Sequence, residues 1–143
     1  MGLSSIKPWF RLRLELLGFH EHVDGFNTDN LGEIILDRAY HVRPVTINGG
    51  PINHTDQRTA TDVEVRVFFK GGRNASEAID EAIIGVEQIV KECCNIKNRT
   101  SDGLLNVIFQ RAEIEPRSTD NDNSVLVTFD FTVQVLLGVE ENC

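Results

Sequence analysis

The chain is poor in the residues that staple small proteins together: it has three cysteines and four prolines among 143 residues. Cys93 and Cys94 are adjacent and Cys143 is the last residue given, a spacing that suits neither a disulfide framework nor a zinc site. A reducing compartment is expected. No apolar run approaches the roughly 20 residues needed to cross a bilayer, and the stretch from Met1 to Lys7 lacks the apolar centre of a secretory signal. No membrane association is expected. Basic residues are scarce too, 14 Lys and Arg against 22 Asp and Glu, for a formal charge of −8. Gripping nucleic acid needs clustered cations that release counterions, so tight binding to DNA or RNA is excluded as an expectation. A field of this sign instead suits a surface that DNA slides past, or serves solubility.

What is present is ordinary globular material, 41% apolar and 25% charged. The length fits one domain that buries its own core, residues 1–143, within which residues 1–40 form a helix and loop region.

The stretch from Ser4 to Gly18 satisfies two patterns. Phe10, Leu12, Leu14 and Leu16 alternate with charges as in a strand, while Pro8 near the start, Gly18 at the end and a shared face of Trp9, Leu12 and Leu16 suit a helix. We read a helix. His20 to Asp37 is polar and punctuated by Gly and Asn, which predicts a loop with a helical turn near Leu31 to Leu36. Ala39 to Asn48 predicts a strand interrupted at Pro44, and Gly49 to Thr61 has little to bury and predicts a long exposed loop. Asp62 to Phe69 alternates cleanly, with Val63, Val65, Val67 and Phe69 on one face. After a turn at 70–74, Asn74 or Ser76 caps a helix over Glu77 to Cys93 whose core face is Ile79, Ile83, Val86 and Val90. Leu104 to Pro116 and Val125 to Leu137 predict a long hairpin closed by a polar tip at Arg117 to Asn123. The second of these strands is long enough to predict overhang or pairing with a neighbouring molecule. The fold class is α+β: an antiparallel β-sheet with a long C-terminal hairpin and an amphipathic helix packed on one face.

Signals for chemistry are weak. His20-Glu21-His22 lacks a third ligand, and His41 and His54 have no Ser, Cys or Asp at a spacing that suggests a triad. Cys93 and Cys94 read as small buried hydrophobes, Gly71-Gly72 as a turn without a phosphate-binding signature, and Asp120-Asn121-Asp122 as a hydrated hairpin tip rather than a calcium loop. No catalytic, cofactor-binding or metal residue is assigned, and the chain is not read as an enzyme.

From about Arg43 to Val139 the order of elements resembles that of the tail terminator proteins of long-tailed bacteriophages: a strand, a polar segment, Asp62-Val63-Glu64-Val65-Arg66-Val67-Phe68-Phe69, an amphipathic helix and a closing hairpin ending in Phe129-Asp130-Phe131-Thr132-Val133-Gln134-Val135. The first 40 residues depart from that pattern. The resemblance implies a virion protein, assembled in the host cytoplasm, that forms a homo-hexameric ring in the neck. Such a ring caps the tail tube protein, ends tube polymerisation, joins the tail to the head connector and lets DNA pass through its lumen without specific binding. Carried onto this chain, it implies assembly contacts at Asn53, His54, Asp56, Gln57 and Arg58 in one polar segment and at Arg117, Asp120 and Asp122 in the other. The competing readings are another neck or head-tail connector component, and a small cytosolic ligand-binding domain or enzyme.

Overall fold

The computed structural model describes residues 3–22, 38–52, 56–70, 74–95, 97, 104–118 and 123–138. It is an α+β domain. A short 3-10 turn leads into α1 (Ile6–Leu16), followed by β1 (His20–Glu21), β2 (Ala39–Ile52), β3 (Asp56–Lys70), α2 (Ala75–Cys93), β4 (Leu104–Ser118) and β5 (Asn123–Gly138). The five strands lie in the order β1-β2-β3-β5-β4, antiparallel except for the two-residue parallel contact of β1 with β2.

The helical reading of the first segment holds, with its face rotated. Ile6, Phe10 and Leu14, four residues apart, are buried with Trp9, whereas Leu12 and Leu16 are exposed. Alternation alone would have put Phe10, Leu12, Leu14 and Leu16 on one side, but a helix collects i and i+4. Gly18 ends it in the left-handed conformation, φ 93°; its N–H donates to the Glu15 carbonyl and that of Phe19 to the Leu14 carbonyl. This is the Schellman pattern, sealed by burial of Phe19 and Leu14. The predicted helical turn at 31–36 lies outside the described residues.

Asp62 to Phe69 behaves as its alternation dictates, with Val63, Val65, Val67 and Phe69 buried. Their mates on β5 are Phe131, Phe129, Val127 and Val125, and Val133 and Val135 continue that face opposite Thr61 and Thr59, all six buried as predicted. Phe131 sits at the centre of an aromatic group, its ring 5.3 Å from Phe10, 5.8 Å from Phe109 and 5.9 Å from Phe129. On the opposite face Phe68 joins Ala39 and Leu126 in a small second cluster.

Three expectations are corrected. Gly49 to Thr61 is not a long loop: β2 continues to Ile52 and β3 begins at Asp56, with Gly49 opposite Thr59 and Ile52 opposite Gln57. Polar composition hid a strand because Thr59 and Thr61 are buried, the Thr59 hydroxyl donating to the Val135 carbonyl at 3.3 Å. Pro44 does not interrupt β2; the chain passes it with a bulge, Val45 being the extra residue between the pairs Pro44–Val63 and Thr46–Asp62. The length of β5 does not signal overhang, because β3 pairs with it from Ser124 to Gly138 and β4 from Asn123 to Val135. The free edges belong to β4 and to β2 beyond Tyr40 among the described strands.

α2 begins as predicted: the Asn74 side chain accepts the Glu77 backbone N–H at 2.9 Å, and acidic Glu77 occupies the first turn, where the helix dipole favours it. Asn74→Ala is expected to cost about 1 kcal/mol, read as a lower urea midpoint at unchanged slope; an unaltered midpoint would mean that the cap contributes nothing. The buried stripe of α2 is Ala78, Ala82, Gly85, Ile89 and Cys93, with Ile79, Val86 and Val90 half-buried on its flank. The predicted face was therefore misplaced, and Ile83 is 49% exposed. The sheet supplies bulk through Phe69, whose ring lies against Gly85, so the helix crosses it on a small residue.

Candidate assembly surfaces

The described residues of the two polar segments singled out in the sequence lie at opposite ends of the sheet. Asp56 and Gln57 begin β3, paired with Gly138 and Leu137 of β5, and Arg58 follows, exposed, opposite Leu136. Arg117 lies near the end of β4, opposite Ser124, which in turn pairs with Lys70 at the far end of β3. The 15 residues of β3 separate these ends by roughly 45 Å along the strand, at about 3.3 Å per residue. Asn53, His54, Asp120 and Asp122 lie outside the described residues. The sheet thus keeps Asp56, Gln57 and Arg58 together and holds Arg117 at the other pole.

Between the poles, the face of the sheet away from the helices carries charge in a row that sequence reading did not find. Arg43 of β2 stands opposite Glu64 of β3, Glu64 opposite Asp130 of β5, and Asp130 opposite Arg111 of β4. Two carboxylates directly across from each other repel. The flanking arginines offset this: Arg43 reaches Glu64 at 3.4 Å, Arg66 reaches Glu64 at 2.8 Å, and Arg111 bridges Asp130 at 3.0 Å and Glu113 at 3.2 Å. One row along, the Gln110 side-chain amide donates to the Thr132 hydroxyl, which donates to Asp62 at 3.1 Å. Glu64, Arg66 and Asp130 are visible in sequence as the polar half of an alternation, but their meeting depends on register across four strands.

Among the described residues the histidines do not converge on a metal site. His20 and Glu21 are in β1 rather than a loop, with the Glu21 carboxylate on the Arg11 guanidinium at 3.2 Å, and His41 Nδ1 faces the His22 carbonyl at 3.2 Å. Among the described residues no three His, Cys, Asp or Glu side chains group as a metal site. Cys93 is buried, as read from the sequence, and burial pushes its thiol well above the ordinary range, so it stays protonated and inert.

Tyr40 is fully buried and donates its hydroxyl to Glu15 Oε1 at 3.3 Å. Burial raises its pKa far above the usual value of about 10, and the charges of Glu15 and Glu21 add to the rise. A raised folded pKa contributes stability that is complete below the unfolded value and lost as pH climbs past about 10. Because Tyr40 is the only tyrosine, phenolate absorbance reads it alone. Its ionisation is expected to coincide with alkaline unfolding followed by circular dichroism; a phenolate formed in the folded protein near pH 10 would show that the ring is solvated.

Among the described residues the large apolar side chains left in solvent form three pairs: Leu12 and Leu16 on α1, Val45 and Ile47 on β2, and Ile83 and Ile84 on α2. No helix among the described residues is long and apolar enough to cross a membrane. No protein-family model matches the chain, and no curated protein matches it in sequence.

Proposed function

We propose that this protein is a structural component of a phage particle: a tail-terminator-like subunit that forms a homo-hexameric ring, caps the tail tube and joins it to the head connector. The observation that carries the reading is the bipolar placement of the two polar segments. A ring seated between two different partners needs recognition surfaces on two opposite sides, and the two ends of a sheet provide them. Here one segment lies at the Asp56 end of β3 and the other beyond its Lys70 end. The order of elements from Arg43 onward and the formal charge of −8 agree with a subunit lining a passage for DNA that is not to be gripped. Catalysis and cofactors have no part in this function.

The test is the native mass of the purified protein, alone and mixed with tail-tube protein, by light scattering and negative-stain imaging. Six-membered rings, or rings seated on tube ends, are expected. Rings of another size would place the subunit elsewhere in the neck, and a monomer indifferent to tubes would overturn the proposal.

A further inference from the structure

We draw no further inference here: the strongest candidate, the exposed apolar pair Ile83 and Ile84 on α2 among the acidic residues Asp80, Glu81 and Glu87, carries none because nothing in the structure shows what covers it.

Discussion

Phe131→Asp is expected to abolish cooperative folding. The side chain is 1% exposed, in an interior strand of the sheet between β3 and β4, against Phe10 of α1, Phe109 of β4 and Phe129 of its own strand. Deleting such a ring costs about 3–5 kcal/mol through lost transfer energy and the cavity left behind. Burying an unpaired carboxylate in its place adds several more. Together these match or exceed the roughly 5–15 kcal/mol that holds a domain of ordinary stability. Far-UV circular dichroism with thermal melting decides it: a disordered spectrum without a transition is expected, and Phe131→Leu should restore a cooperative melt at lower temperature. A folded Phe131→Asp protein of wild-type stability would mean that the odd-numbered residues of β5 do not face the core. The same argument applies to Val127, which is fully buried four residues earlier on the same face.

Gly85→Ala is expected to destabilise the protein by about 1–3 kcal/mol, as overpacking does. The sign is opposite to that for an ordinary helix, where alanine gains about 1 kcal/mol over glycine. A Cβ built at Gly85 falls 2.4 Å from both Cε1 and Cζ of Phe69. The Phe69 ring cannot swing into solvent, being 5% exposed and set edge-on to Phe19 at 5.8 Å. Either the ring moves into neighbours or the helix rises off the sheet, opening space along Ala78, Ala82 and Ile89. Urea unfolding of Gly85→Ala, Phe69→Leu and the double variant tests this, with the double expected to be more stable than the sum of the single losses implies. A Gly85→Ala protein more stable than wild type would show that α2 stands farther from β3.

The same close approach explains why the core face of α2 was misread. Pattern reading gives a helix the face of its largest apolar residues, here Ile79, Ile83, Val86 and Val90. Where α2 crosses Phe69 of the sheet the space available fits glycine, and Ile79 and Ile83 are displaced to the flank and the surface. In α1, likewise, Leu12 and Leu16 look like core by composition and lie in solvent.

Deletion of residues 50–57 to remove a presumed loop would also take paired strand residues, including Ile52 and its partner Gln57. A deletion that spares every paired strand residue is confined to residues 53–55.

By itself the sequence determined what depends on neighbours along the chain. The alternation of Val63, Val65, Val67 and Phe69 and of Val125 through Val135 set two strands and their buried faces, because side chains on a strand alternate sides whatever else surrounds them. Asn74 or Ser76 set the start of α2 to within a turn, and Gly18 the end of α1, because capping geometry is local. The class, an antiparallel sheet covered by helices, followed from the order of those elements. Tertiary structure alone decided that β5 lies between β3 and β4, that Thr59 and Thr61 are core despite a polar setting, and that Arg43, Glu64, Asp130 and Arg111 stand in one row. Each of these depends on register between strands distant in sequence, where shifting the pairing by one residue turns every side chain to the other face. It also decided which apolar residues the core had no room for, since that is set by volumes contributed from both sides of the helix–sheet contact.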